Sequence, residues 1–244
     1  WNVYYDPPPV SPKMDLANSY WKVPLGWCHR HINKTLFKLA KVVSPARWLI
    51  QYAKNRGFSN RFMHIPPAVH LSGNTTTYTK QILWVGAITE GKGLAQILPV
   101  LVGVGSLFQW DVVIAGDGPL RARLERNYPY ANFVGVIDPA IYYQTASLLV
   151  VSSLYPETGP LVALEGMAMG LCVIGRNVGG VNEIISHNSD GILYNTTEDL
   201  TNQLNALIQD VPKIIRIGNA AINKINREYN WDTCLSRHLT YYAS

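Results

Sequence analysis

Charge is scarce in this chain and cysteine scarcer. Only 15% of its 244 residues are Asp, Glu, Lys or Arg, while 48% are apolar. Disordered chains show the opposite balance, being too charged and too poor in apolar residues to build a core. Three cysteines, Cys28, Cys172 and Cys234, stand far apart with no C-x-x-C pair and no histidine at ligating spacing, which points to neither a disulfide framework nor a zinc site. They read as reduced, buried thiols of a cytoplasmic protein. The longest apolar stretches, such as Ile82–Val85 and Ala146–Val151, fall far short of the ~20 residues a membrane helix requires. Neither a collagen-like run nor a repeat of 20 to 50 residues is present, which excludes solenoids and propellers. The first residues show no basic, apolar, small-residue signal pattern; the chain opens on Trp1, and its start is expected to be a cut or to follow a missing upstream segment. The sequons at Asn33, Asn74 and Asn195 are expected by chance in an Asn/Thr-rich chain and do not argue for secretion.

The charge that is present is uneven. Residues 1–64 hold ten Lys/Arg against Asp6 and Asp15, whereas residues 65–244 hold eleven Lys/Arg against fourteen Asp/Glu, within a net charge of +5. Arg30, Lys34 and Lys38 recur every four residues, with Ile32, Leu36, Leu39 and Ala40 on another face. An amphipathic helix over about 30–40 would carry a cationic stripe. That stripe suits an anionic membrane surface or an acidic acceptor, and equally a plain solvated face. No recognition motif accompanies it, so nucleic acid is not expected as a partner.

Residues 1–28, with Pro7-Pro8-Pro9, show no helical or strand period and read as irregular. A short strand is expected through Val42 and Val43. Ser44 then reads as the cap of a helix with Pro45 at its first position and Gly57 at its end. A strand over Phe62–Ile65 stops at Pro66-Pro67, and the polar run Ser72–Thr79 reads as a linker. From Gln81 onward apolar runs at 82–85, 111–115, 132–134, 148–151, 172–175 and 192–194 alternate with helical segments near 93–102, 119–127, 139–145, 160–169, 180–186 and 198–209. Alternation of this kind, with strands apolar throughout, predicts an α/β fold with a doubly wound parallel sheet. Two further helices follow, near 213–228 and 232–242.

Ligands of such sheets bind outside the carboxyl ends of the strands. The strand ending at Val85 runs into a glycine-punctuated turn, Gly86 to Gly93, bearing Lys92. Glycine permits close backbone approach and a cation neutralises phosphate, although a polar turn with a surface lysine looks the same. It is not a P-loop, because Gly91-Lys92 is followed by Gly93 rather than Ser or Thr. Gly103-Val104-Gly105 is no dinucleotide fingerprint either, since Phe108 stands where a third glycine is needed and the stretch reads as following a helix. Ala115-Gly116-Asp117-Gly118-Pro119 sits at a strand end, with Pro119 opening the next helix. The most informative stretch runs from Pro156 to Gly170. With Pro160 at the first helical position, the amides of Leu161 and Val162 would be unpaired donors for a diphosphate. Glu157 precedes that helix and Glu165 lies within it. A carboxylate beside a phosphate site makes sense when it accepts hydrogen bonds from sugar hydroxyls.

Glu157 and Glu165 with seven residues between them, Ala168-Met169-Gly170, Gly179-Gly180-Val181-Asn182-Glu183-Ile184-Ile185 and Asp190-Gly191 form an ordered series. With Val85-Gly86 through Lys92-Gly93 and Ala115 through Pro119 ahead of them, they resemble the C-terminal domain of retaining glycosyltransferases of family 4, which have the GT-B fold. The likeness covers about residues 62–232. Residues 41–67, with Val43-Ser44 and Ile65-Pro66-Pro67-Ala68-Val69 following, resemble the end of that family's N-terminal domain and its hinge. The resemblance implies a partial acceptor-side segment over 1–66, a Rossmann-like nucleotide-sugar domain over 67–230 and a final helix over 231–244. It also implies roles. Glu157 would hold hydroxyls of the donor sugar and Lys92 would neutralise the departing diphosphate. Glu165 would bind the ribose, and the amides of Leu161 and Val162 with the Gly179-Gly180 turn would cradle phosphate. Gly86, Gly116, Thr158 and Gly159 would also contact the donor. The implied partners are a nucleotide-diphosphate sugar and a sugar or lipid-linked acceptor. No cofactor is implied, and the lack of any D-x-D triplet suits a metal-independent reaction.

The departures are specific. The family usually carries Arg directly after the glycine that is Gly86, and this chain has Ala87, with Arg176 as a candidate substitute. Gly159-Pro160 stands where Phe-Gly is commoner. Only about 65 residues precede the complete domain, so most of the acceptor half is expected to be absent. A non-catalytic nucleotide-sugar-binding module, and an epimerase or phosphorylase on the same fold, stay open at this point.

Overall fold

The structure is a computed structural model that describes residues 40–58, 61–69 and 78–244. Residues 30–39 of the helix expected over 30–40, with its basic stripe, the Pro7–Pro9 run, Cys28, Asn33, Asn74 and residues 72–77 of the linker lie outside the described residues.

Six strands, β3 (Gln81–Val85), β4 (Asp111–Ala115), β5 (Asn132–Gly135), β6 (Leu148–Val151), β7 (Cys172–Arg176) and β8 (Ile192–Tyr194), form one sheet in the order β5-β4-β3-β6-β7-β8. Every pairing is parallel. The α/β, doubly wound expectation therefore holds, and each predicted strand lies within a residue of the observed one. Side chains alternate along each strand, so the sheet has two cores. Ile82, Trp84, Ile114, Val150 and Ile174 face one side, beneath α2 (Leu94–Phe108) and α7 (Thr197–Ile208). Leu83, Val113, Leu149 and Val173 face the other, where α4 (Ala140–Thr145), α5 (Leu161–Ala168) and α8 (Val211–Glu228) lie. Chain order runs outward from β3 through β4 to β5, then returns to the far side of β3 as β6. That reversal is a topological switch point.

Ahead of this sheet, β1 (Lys41–Ser44) and β2 (Arg61–His64) pair in parallel around α1 (Arg47–Asn55). The last helix, α9 (Trp231–Ala243), returns to them: the Lys41 ammonium donates to the Tyr241 carbonyl at 3.1 Å, at the helix end where cations are favoured. Thr196, Asp210 and Asn230 cap α7, α8 and α9 by accepting the amides of Asp199, Lys213 and Thr233. Inside the fold Lys224 of α8 donates to Asp190 at 3.0 Å, both side chains being at most 10% exposed. Cys172 and Cys234 are buried, and burial pushes the Cys172 thiol up to about 12. Among the described residues, no helix is long and apolar enough to cross a membrane.

Several local readings need correction. Gly103 and Gly105 do not follow a helix but lie inside α2, which runs on to Phe108; the apolar face of that helix continues through Leu101 and Val104 and outweighs the low helical preference of glycine. Pro119 precedes α3 (Arg121–Asn127) by two residues. Ser44 does not cap α1, which begins at Arg47 after an Ala46 cap that offers no side-chain acceptor. Gly57 does close that helix: its N–H reaches the Lys54 carbonyl at 2.9 Å and that of Phe58 reaches Ala53 at 3.1 Å.

Candidate functional site

At the switch point the carboxyl ends of β3 and β6 open a small cleft, lined by Trp84 and Val85 from the first strand and by Val151, Ser152 and Ser153 at the second. The loop leaving β3 makes a 3₁₀ turn over Glu90–Lys92 and reverses at Gly93, whose φ of 73° is left-handed. A Cβ at Gly93 would overlap the Ser152 carbonyl, so only glycine lets this turn lie against the exit of β6. A chain of hydrogen bonds fixes the contact: the Trp84 indole donates to Ser152 Oγ at 2.9 Å, and Ser152 Oγ donates to the Lys92 carbonyl at 2.7 Å. The Leu154 amide donates to the Gly91 carbonyl at 2.9 Å.

Lys92 is thereby aimed into the cleft, where its Nζ lies 2.8 Å from Glu157 Oε1. Ser153 Oγ donates to the same oxygen. One carboxylate oxygen is held by protein donors, and Oε2 has no hydrogen-bond donor among the described residues. An ammonium has three protons, so the Lys92 Nζ keeps two beyond its bond to Glu157.

Helix α5 begins beside this pair. Pro160 is its cap rather than its first residue, a shift of one position from the sequence reading. The amides of Ala163 and Leu164 return to the Pro160 carbonyl at 2.9 and 3.2 Å. The amides of Leu161 and Val162 have no acceptor among the described residues, as expected of a helix start. Val162 lines the cleft. Further into the helix, Glu165 Oε2 accepts the Tyr143 hydroxyl at 3.0 Å. Tyr143 is buried, and burial with the neighbouring Glu165 carboxylate raises its phenol well above the ordinary range. It remains a donor at any working pH.

The glycines are distributed around this centre. Gly86 and Gly116 leave neighbouring strands back to back, with Gly86 N–H on the Ala115 carbonyl at 3.0 Å and Gly116 N–H on Gly135 at 2.8 Å. Gly179 and Gly180 open α6 (Gly180–Ile184) directly against the Glu157 loop. The Gly180 amide donates to the Glu157 carbonyl at 2.7 Å, so it supports the acidic loop and is not a free phosphate donor. Thr158 is exposed, while Gly159 faces Pro67, whose Cγ would lie 3.0 Å from an added Cβ. Ala87 is exposed, and Arg176 donates to Gln96 at 3.3 Å instead of lining the cleft. Sequence reasoning missed Ser153, Tyr143 and Trp48. Only Ser153 left a signal, as part of a small polar pair directly after an apolar strand.

Residues 79–210 match the family described as glycosyl transferases group 1. The chain belongs to this family. An uncharacterized glycosyltransferase of Methanocaldococcus jannaschii is 29% identical over 174 residues, which cover 67% of this chain and 44% of that protein. Among solved structures, sucrose-phosphate synthase from Thermosynechococcus elongatus superposes with a TM-score of 0.74 at 22% identity, over 89% of this chain and 61% of that one. HepE from Anabaena, solved in complex with UDP-glucose, gives 0.76 at 16% identity, over 87% of this chain and 66% of that one. These neighbours carry the GT-B fold. The chain spans less than half the length of the curated relatives it matches first.

Proposed function

We propose that this group 1 glycosyltransferase chain is the donor-binding part of a family 4 enzyme, which moves a sugar from a nucleotide diphosphate to a sugar or lipid-linked acceptor with retention of configuration. The observation that carries the reading is the 2.8 Å pairing of Lys92 with Glu157 beside the start of α5. HepE, solved with UDP-glucose, supports the donor class. Residues 67–230 form the donor unit in this proposal, with 1–66 on the acceptor side and 231–244 as the closing helix.

In the reaction the bond between the anomeric carbon and the phosphate oxygen breaks, and its electron pair leaves with the diphosphate. The acceptor oxygen attaches on the same face, and its proton passes to the departing phosphate oxygen. Charge builds on that phosphate, where the two remaining protons of the Lys92 ammonium and the amides of Leu161 and Val162 stabilise it. Glu157 Oε2 takes hydroxyls of the sugar as it becomes oxocarbenium-like. Glu165, oriented by Tyr143, takes the ribose hydroxyls. Gly86 and Gly116 let the nucleotide approach the strand ends, and Thr158 and Gly159 border the sugar. Gly179 and Gly180 act at one remove, by holding the Glu157 loop. With alanine at 87 and Arg176 directed to Gln96, Lys92 is the principal side-chain cation at the diphosphate. The reaction needs no metal in this account, and an anionic membrane surface is a fitting place for a lipid-linked acceptor.

Incubation with UDP- and GDP-sugars tests the reading. Release of the nucleotide diphosphate that resists EDTA, with the donor's anomeric configuration in the first-formed product by proton NMR, is expected. An inverted product overturns retention, and saturable binding without release makes the chain a binding module.

A further inference from the structure

The loop bearing Glu157 is closed into a ring of hydrogen bonds by a helix from far earlier in the sequence. The Glu157 carbonyl accepts two protons, from the Gly180 amide at 2.7 Å and from the Trp48 indole at 2.9 Å. Gly180 opens α6, and Glu183, one turn along it, extends its carboxylate to the start of α1. There Oε2 accepts the Arg47 amide at 2.7 Å and Oε1 the Trp48 amide at 2.6 Å. A carboxylate taking two first-turn amides does the work of a cap and also meets the positive end of the helix. The capping acceptor that Ala46 lacks is thus supplied by another helix, at Glu183, 136 residues beyond Arg47. The ring runs from Glu157 to Gly180, through α6 to Glu183, across to Trp48, and back to Glu157.

We propose that Trp48 and Glu183 are positioning residues for Glu157, setting the loop so that its carboxylate meets the donor sugar. The inference rests on the donor-binding reading above. The Lys92 backbone is located by a separate set of contacts, through Trp84, Ser152 and Gly93, and only its ammonium meets the Glu157 loop; the amides of Leu161 and Val162 are located by α5 itself. Loosening the ring therefore affects the sugar end of the donor more than the diphosphate end, where Lys92 keeps its backbone anchor. Trp48 lies outside the residues that match the family, 79–210. The grip on the sugar thus depends on the acceptor-side segment.

The test uses the full chain and two probe pairs, UDP with UDP-glucose and GDP with GDP-mannose, titrated calorimetrically. The readout is the sugar increment, the ratio of the Kd for the nucleotide diphosphate to that for its sugar. Trp48→Phe keeps an aromatic side chain but loses the indole N–H, and Glu183→Gln keeps the size but loses one acceptor. Each is expected to lower the increment about fivefold, the effect of one hydrogen bond, with the diphosphate Kd within about twofold of the parent. Glu157→Gln is the reference and should remove the increment. If it does so while Trp48→Phe and Glu183→Gln do not, the positioning role is wrong and the donor reading stands. If both variants weaken diphosphate and sugar equally, their role is general stability and the proposal is also wrong. If Glu157→Gln leaves the increment intact, or neither pair binds, the donor reading falls and takes this inference with it. Thermal melts verify folding, and Glu183→Gln carries the test should Trp48→Phe fail to fold.

Discussion

The ammonium of Lys92 and the carboxylate of Glu157, 65 residues apart in sequence, meet at 2.8 Å above the carboxyl ends of β3 and β6. Their side chains are 41% and 23% exposed, and ion pairs so open to water contribute little to folding. What holds them in place is the backbone beneath them, from the Gly93 turn to the Gly180 amide. The pair is therefore better explained by what it binds than by what it stabilises.

Lys92→Ala separates those two roles. Its melting temperature is expected to fall by less than about 4 °C, because an exposed pair contributes at most about 1 kcal/mol. Release of nucleotide diphosphate from the donor should slow by about 10²–10³-fold, the usual effect of losing one stabilising contact to a developing charge. Circular dichroism melts and a coupled release assay measure both.

Tyr143→Phe removes the hydroxyl that orients Glu165 at 3.0 Å and leaves the buried ring in place. Affinity for UDP or GDP should weaken about fivefold. If Glu165 grips the ribose, the loss should shrink when the 2′-deoxy nucleotide replaces the ribonucleotide, and paired calorimetric titrations show whether it does.

Gly179→Ala tests the support of the Glu157 loop. Its φ is 53°, and a Cβ would lie 2.5 Å from Pro156 Cα and 2.9 Å from the Glu157 amide nitrogen, both backbone atoms that cannot turn aside. A loss of about 1–3 kcal/mol is expected, with activity falling further than stability. Gly103→Ala is the contrast: within α2 and with nothing inside 4 Å of its Cβ, it should stabilise by about 0.5–1 kcal/mol. Denaturant titrations of the two variants give the comparison.

Lys224→Met strips the counter-charge from buried Asp190, whose other oxygen accepts the Ser186 amide at 2.7 Å. Removing one partner of a buried pair costs about 3–5 kcal/mol, and neutralising both costs less. Urea melts should accordingly rank Lys224→Met below the double variant that adds Asp190→Asn.

The six strands of the large sheet are legible in the sequence because a parallel strand covered on both faces must be a short apolar run. Leu148–Val151, buried at all four positions, is the plainest case. Lys92, Glu157 and Val162 are legible as members of one site because strand-end loops converge at a switch point. The partners that position them are not. Capping of α1 is invisible locally, since Ser44-Pro45 has the look of a helix start while the acceptor is Glu183, far along the chain. Gly180 reads as part of a phosphate turn because its composition suits one, yet its amide goes to the Glu157 carbonyl. Tyr143 and Trp48 are ordinary aromatics until the fold puts a carboxylate and a carbonyl within reach of their donors.

A crystal structure of the chain grown with UDP-glucose or GDP-mannose measures the central claim most directly. The account predicts diphosphate oxygens within hydrogen-bonding distance of Lys92 Nζ and the amides of Leu161 and Val162, ribose hydroxyls on Glu165, and the sugar on Glu157 Oε2. A nucleotide bound away from the β3–β6 cleft, or one whose diphosphate lies beyond reach of Lys92 and α5, would contradict it.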